Sequence, residues 1–506
     1  METEAQQVVY EEPRASTSDR LPSLSNDIEK SFSSSSEDPF LVDFTGPNDP
    51  ENPLNFPLWL KWSMLVAVSF LNFLVVLYST SFQSGLPGLA ADFNIHSTTV
   101  LTLGLTLYML GIALGTLLFA PLSEIYGRRP VYMFTSAALV LCFIPVALAP
   151  NFALLCVFRF LAGFFGSCCI TNGGATISDT FGPEHRHLAV NIYFICPLLG
   201  PVIGPIYGGF VFEALGWRWM VWIIAIATLV LAVLFYFVMK ETYAPTLIER
   251  KKHRIIKQTG DHRYHSVFDK AQDRKSNAER LRLYITRPIM FLLMEPISIF
   301  FALWVATVYG IFYLSFVAYP IVFGEYRHWS AGFVGLSFLG VGTGLTLCFL
   351  CNPIMKKLYM RIPVNPESGM RPPEARLYPV LFTALLAPIS LYWFAWTSQP
   401  SVHWIVPIIA GIPFGFSNTT TYIYSSAYLI DAYGVFSASA LGANAVFRSI
   451  FGAAFPLFAS IMYHNLGSSV ATTILASISL LVAAVPFVFF FFGKRIRASS
   501  PYCGSL

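Results

Sequence analysis

Two arginines, Arg159 and Arg448, stand inside long apolar runs of the chain, and Glu295 opens another beside Pro296. A cation placed in the hydrocarbon of a bilayer costs at least about 2.5–3.5 kcal/mol, so each arginine must face a protein interior and find partners there. Charges kept at such a cost mark ion or substrate pathways, and a carboxylate among them can take up and release a proton. Arg159, Glu295 and Arg448 are therefore the proton-coupling candidates, with Glu295 as the carrier and Arg159 acting with it. The competing reading of Glu295 is an acid favoured by a helix N-terminus, and that of Arg159 a clamp on backbone carbonyls. Asn72, Gln83, Tyr309, Tyr313, Asn418 and Tyr422 form a second set, polar or aromatic at helical spacing. A mostly aromatic cavity with few fixed charges suits bulky, amphipathic, planar compounds, although each residue taken singly could serve packing.

A third set is a run of fourteen residues, Cys196 to Gly209, with proline at 197, 201 and 205 and glycine at 200, 204 and 208. Spacing of four puts each set on nearly one helix face. In water each interior proline costs roughly 3 kcal/mol and each glycine about 1. In lipid, neighbouring helices can satisfy the backbone groups that proline frees, and a glycine stripe lets another backbone come close. The expectation is a kinked helix against which the second half of the protein slides or seals. A fourth set, Glu124-Ile-Tyr-Gly127-Arg128-Arg129, combines an acid, a turn glycine and two bases between apolar runs. It reads as a charge latch at an inner gate, with Asp179 pairing with Arg128 when that gate is shut. The plainer alternative is a pair of bases that only fixes topology.

Other chemistry is disfavoured. His185, His187 and His464 are scattered with no acid constellation, Cys348 and Cys351 sit in an apolar segment without a second pair, and no G-x-x-x-x-G-K-[ST] loop occurs. No enzyme activity, metal, cofactor or nucleic-acid partner is expected.

The elements that must hold these residues are membrane helices. Of 506 residues 55% are hydrophobic and only 12% charged, against about 25% charged in soluble domains. Apolar runs long enough to cross a bilayer are placed at 62–84, 98–120, 131–149, 152–177, 187–210, 218–239, 294–322, 331–355, 376–397, 402–426, 437–461 and 470–492. All but four of the 32 lysines and arginines then fall on one side; the exceptions are Arg159, Arg218, Arg327 and Arg448. The positive-inside rule makes that side cytosolic. The expected organisation is a disordered acidic, serine-rich tail (1–57), a six-helix bundle (58–239), a cytosolic central loop (240–287), a second six-helix bundle (288–493) and a cytosolic C-terminal tail (494–506). Asn191 and Phe194 in the fifth span are echoed by Asn444 and Phe447 in the eleventh, and Leu215-Gly216 by Leu466-Gly467. That echo suggests a 6+6 repeat.

The segment Ala120-Pro-Leu-Ser-Glu124-Ile-Tyr-Gly127-Arg128-Arg129-Pro130 resembles the loop motif of the major facilitator superfamily, in the form found in fungal twelve-span drug:proton antiporters. It departs from the motif at Ala120, Glu124 and Ile125. Asp49-Pro-Glu-Asn-Pro-Leu-Asn55, Arg159-Phe-Leu-Ala-Gly163, Glu295-Pro296, Tyr319-Pro320 and Arg448 with Phe451-Gly-Ala-Ala-Phe-Pro456 are similar to further segments of that branch. Gly200, Pro201, Gly204, Pro205, Gly208 and Gly209 look like the family's antiporter motif. The resemblance implies an all-α membrane protein, with twelve transmembrane helices in two pseudo-symmetric six-helix bundles. It implies a monomer that exports hydrophobic or amphipathic small molecules (drugs, fungicides, toxins or secondary metabolites) against inward proton flow, by alternating access. The plasma membrane is preferred to the vacuolar membrane. The alternatives are a facilitator or proton symporter for a sugar, polyamine or vitamin, and a non-transporting membrane sensor.

Overall fold

The structure, a computed structural model, describes residues 39–46, 48–266, 268, 277–364, 371–500 and 502–503. Among these, the membrane helices of the first half are α1 (Leu58–Ser81), α2 (Thr98–Tyr126), α3 (Arg128–Ala147), α4 (Phe152–Thr180), α5 (Pro183–Leu215) and α6 (Trp217–Val238). Those of the second half are α7 (Pro296–Tyr319), α8 (Ala331–Leu350), α9 (Pro373–Thr397), α10 (Ile405–Tyr433), α11 (437–466) and α12 (468–498).

Ten helical stretches among the described residues are long and apolar enough to cross a membrane. The last of them, Ser437–Ala498, holds both α11 and α12, because Gly467 breaks it with φ 76° and ψ 159°. The helix α10 spans 29 residues but carries the polar run Ser417-Asn-Thr-Thr-Thr421 and Ser425-Ser426, and is not among the ten. Prolines inside α2, α3, α5, α10 and α11 do not end these helices.

The boundaries have local causes. Ser97 and Asn151 cap α2 and α4, accepting from Val100 N–H at 3.4 Å and Leu154 N–H at 2.8 Å. Gly216 separates α5 from α6 with φ 84° and ψ 171°, nearly the conformation of Gly467 between α11 and α12. A side chain rarely adopts that backbone. The weak echo of Leu-Gly in the two halves thus marks the same turn used twice. Each half buries aromatic interiors, Tyr78, Tyr108 and Phe143 in the first and Trp304, Phe301 and Tyr428 in the second.

The halves meet through α5 with α8, α2 with α11, and α1 with α7. Gly332 N–H donates to Glu213 Oε1 at 2.7 Å, Thr106 Oγ1 to Ala453 O at 2.8 Å, and the hydroxyls of Thr98 and Ser460 lie 2.9 Å apart. These contacts sit toward the helix ends opposite the basic loops.

The described residues within 39–49 and 247–268 group as a separate unit. Most of the tail expected to be disordered, residues 1–38, lies outside the described residues. Its last part is ordered, which narrows that expectation. Leu41–Val42 pairs in parallel with His265–Ser266, and the Asp49 carboxylate accepts from Lys251 Nζ at 3.1 Å and Thr45 Oγ1 at 2.8 Å. The polar stretch 240–287 likewise holds helices, Ala244–Thr259 and the start of Asn277–Met294.

Candidate functional site

A cavity lies between the halves. The first half supplies Asn72 from α1 with Tyr193, Phe194, Pro197 and Pro201 from α5; the second supplies Tyr309 and Tyr313 from α7, Asn418 and Tyr422 from α10, and Arg448 from α11. Five of the six substrate-site residues expected from the sequence therefore come together. Gln83 does not line the cavity: it lies in the 3-10 turn Phe82–Gly85 that ends the first span, buried, with its Oε1 unpartnered.

The cation of the cavity is Arg448. Its guanidinium lies 4.6 Å from the centroid of the Tyr422 ring and 4.9 Å from that of Tyr309, and its Nε has no hydrogen-bond partner. Two aromatic faces compensate part of its desolvation, about 0.5–2 kcal/mol for a desolvated contact. No carboxylate is among the lining residues. At the inner edge, toward the basic loops, the Phe194 and Tyr422 rings meet edge to face across the halves at 5.6 Å. Phe194, Tyr422 and Arg448 each stand eleven residues from the inner ends of their helices, about 16 Å at 1.5 Å per residue. At the outer edge the hydroxyls of Ser79 and Tyr313 lie 3.2 Å apart, again across the halves. The cavity thus has an aromatic floor and a hydrogen-bonded roof.

Sequence reasoning missed Tyr193 and Phe194 as cavity residues. Tyr193 accepts from Asn72 Nδ2 at 3.1 Å and donates to the Cys169 and Ile170 carbonyls. Their position, just inner of the proline repeat, was the signal available.

The other two coupling candidates lie apart from the cavity and from each other. Arg159 is fully buried in the first half; its Nε donates to Gly104 O at 2.8 Å, and its guanidinium stacks on Phe82, Tyr78 and Tyr108 at 3.9, 4.6 and 5.2 Å. It makes no ion pair among the described residues, so the clamp on a backbone carbonyl is present. Glu295 immediately precedes α7, 3% exposed, and its Oε2 accepts from Tyr433 at 3.1 Å and Ser500 at 2.8 Å. Both donors are neutral hydroxyls.

The latch is formed. Gly127 takes φ 98°, Arg128 Nε meets Asp179 Oδ2 at 3.1 Å, and Arg128 Nη1 donates to Ser123 Oγ at 2.7 Å. Glu241, just past α6, accepts from the backbone N–H groups of Arg128 at 2.8 Å and Arg129 at 3.3 Å. Glu241 was not expected, and Glu124 sits in the last turn of α2 beside this group. All these partners belong to the first half, so the latch ties the inner ends of α2, α3, α4 and α6 rather than bridging the halves. The second half repeats the plan. Arg376 pairs with Asp431 at 2.7 Å, and Arg497 with Glu374 through two bonds of 2.9 and 3.0 Å.

The glycine stripe corrects the expectation about α5. A Cβ at Gly200, Gly204 or Gly208 would meet α1 backbone of the same half: Leu77 N at 3.1 Å, Leu77 O at 3.0 Å and Ser81 O at 2.7 Å respectively. Of the motif's glycines only Gly209 faces the other half, where a Cβ would stand 2.3 Å from Ala331 O, and the Pro205 carbonyl also packs against α8 at Gly335. The helix turns its glycines to α1, its prolines 197 and 201 to the cavity, and its outer end to α8.

A two-bundle membrane fold around a central cavity defines a secondary-transporter architecture. The Major Facilitator Superfamily model matches residues 68–436, and the chain belongs to that family. It is 40% identical to an MFS-type efflux pump of Trichophyton rubrum over 92% of this chain and 78% of that one. It is 39% identical to the citrinin biosynthesis cluster MFS transporter of Monascus ruber, over 92% and 93% of the two chains. Among solved structures, a peptide transporter (TM-score 0.62, 14% identity, 92% and 98% of the chains) and the xylose transporter XylE of E. coli (0.60, 16%, 86% and 98%) share the fold.

Proposed function

We propose that this chain exports hydrophobic or amphipathic small molecules from the cytosol across the plasma membrane, as a proton-coupled antiporter working as a monomer. The observation that carries the reading is the cavity between the halves, ring-lined, holding one cation and no carboxylate, with contacts across the halves above and below it. Rings of Phe194, Tyr309, Tyr313 and Tyr422 offer faces to a planar apolar body, and Arg448 offers donors to an oxygen-rich group on it. Alternating access exchanges one closure for the other: the Phe194–Tyr422 floor parts to admit substrate from the cytosol, and the Ser79–Tyr313 roof parts to release it. The names of the relatives, efflux pumps and a metabolite-cluster transporter, support export.

We assign the proton carrier to Glu295, a buried acid whose donors among the described residues are neutral hydroxyls, so that its proton uptake breaks no ion pair among them. Arg159 makes no ion pair among the described residues and is read as acting apart from Glu295. The test is accumulation of a compound panel in a deletion strain and in one expressing the protein, with and without an uncoupler. Expression should lower accumulation of some compounds and the uncoupler should restore it; equal accumulation for every compound overturns export. Glu295→Gln should abolish the response to an imposed pH gradient in vesicles, and unchanged gradient-driven transport removes Glu295 as carrier.

A further inference from the structure

Arg159 leaves a charge that the protein does not neutralise. Its Nε is satisfied, but among the described residues Nη1 and Nη2 have no hydrogen-bond partner, and neither does the hydroxyl of Tyr78. Both side chains are buried and line one small pocket in the first half, walled otherwise by rings and aliphatic groups such as Phe82, Leu155 and Trp217. The carboxylate bonded to one of these walls is engaged elsewhere: Asp92 accepts from Trp217 Nε1 at 2.9 Å and pairs with Arg218. Three rings stack on the guanidinium. Such contacts offset only part of the desolvation cost of a buried cation and supply no counter-charge. A water molecule would occupy the three free donors and leave the charge. A compact anion would occupy them and cancel it.

We propose that Arg159 and Tyr78 bind a single small monovalent anion, chloride under physiological conditions. The pocket is small and walled mostly by rings and aliphatic groups, which favours a compact monovalent ion over phosphate, sulfate or an organic carboxylate. The site is separate from the transport cavity and does not rest on the export reading. It bears on the roof through the chain itself, since Tyr78 is next to Ser79, which meets Tyr313, and Phe82 begins the 3-10 turn that ends the first span. A filled site therefore fixes the outer part of α1.

The test uses the full-length protein, purified and exchanged into gluconate at constant ionic strength and pH. Radioactive chloride should bind saturably, at about one ion per chain, displaced by bromide and not by gluconate, and chloride should raise the thermal unfolding midpoint over the same concentrations. Tyr78→Phe keeps the ring on Arg159 and removes one donor. It should weaken chloride about tenfold or more, the usual scale for a hydrogen bond to a charged group, with little change of the midpoint in gluconate. Arg159→Gln should abolish binding; should that variant fail to fold, Tyr78→Phe decides alone. No saturable chloride binding by the unaltered protein, or an unchanged affinity in Tyr78→Phe, overturns the site and leaves water as the occupant.

Discussion

Tyr422 has more to do than any other side chain of the cavity. It stacks on Arg448 and closes the floor against Phe194. Tyr422→Leu keeps an apolar body of similar reach and removes both ring contacts, worth about 0.5–2 kcal/mol each. Apparent affinity for an exported aromatic compound should fall about three- to tenfold in vesicle uptake, and Tyr422→Phe should retain most of it. Gly127 is a second point where one residue decides. Its φ of 98° with ψ of 157° is glycine territory, and a Cβ would stand 2.4 Å from Glu241 Oε2. Gly127→Ala should lower the thermal unfolding midpoint by several degrees, from about 1–3 kcal/mol of backbone strain and a displaced carboxylate that now satisfies four backbone N–H groups. The glycine and the bases were legible as a latch from the sequence. Glu241 was not, because an acid past the sixth span comes to lie under Arg128 only when α3 and α6 pack together.

Among the elements, α5 shows best how a pattern can be read correctly and aimed wrongly. Its proline and glycine stripes are on the faces that spacing of four demands, and the helix is continuous over 33 residues. Periodicity gives the angle between the stripes and says nothing of which neighbour each one meets. The glycines meet α1, so the close contact they permit is permanent within the first half. Gly204→Leu would push a Cβ to 2.1 Å from Thr80 Oγ1 and 3.0 Å from the Leu77 carbonyl, which cannot yield without moving α1. Export should be lost and the purified protein should unfold at a lower temperature. Gly174→Ala is the control, since nothing lies within 4 Å of a Cβ there, and it should behave as the unaltered protein in both measurements. A Gly204→Leu protein with normal stability and transport would mean that α1 and α5 do slide.

Across the whole molecule the two halves are held at their outer ends by close backbone approaches that a single side chain can prevent. A Cβ at Gly209 would stand 2.3 Å from Ala331 O, next to the bond from Gly332 to Glu213. Gly209→Val should therefore hold the outer side open while leaving each bundle intact. A cysteine placed by Ser79→Cys should react faster with a membrane-impermeant thiol reagent added outside, and export should fall. Labelling that stays as slow as in the Ser79→Cys protein alone would show that α5 and α8 do not control the roof.

Taken by itself, the sequence determined the placing of the apolar runs, the clustering of the bases in alternate loops, the break at Gly467 and the residue types of the site. These follow from composition, spacing and backbone sterics, which act along the chain. It also selected Asn72, Tyr309, Tyr313, Asn418 and Tyr422 for one cavity, because polar and aromatic groups in lipid-spanning helices must turn inward. Tertiary structure alone decided which cation joined them. Arg159 and Arg448 pose the same electrostatic problem in one dimension. The packing puts Arg448 between two tyrosines in the cavity and Arg159 against Phe82 in a separate small pocket. Glu295, equally buried, is drawn to Tyr433 and the C-terminal Ser500. The cost of burying a charge can be read from the chain; the group that compensates it comes from another helix, and only the packing of the helices supplies it.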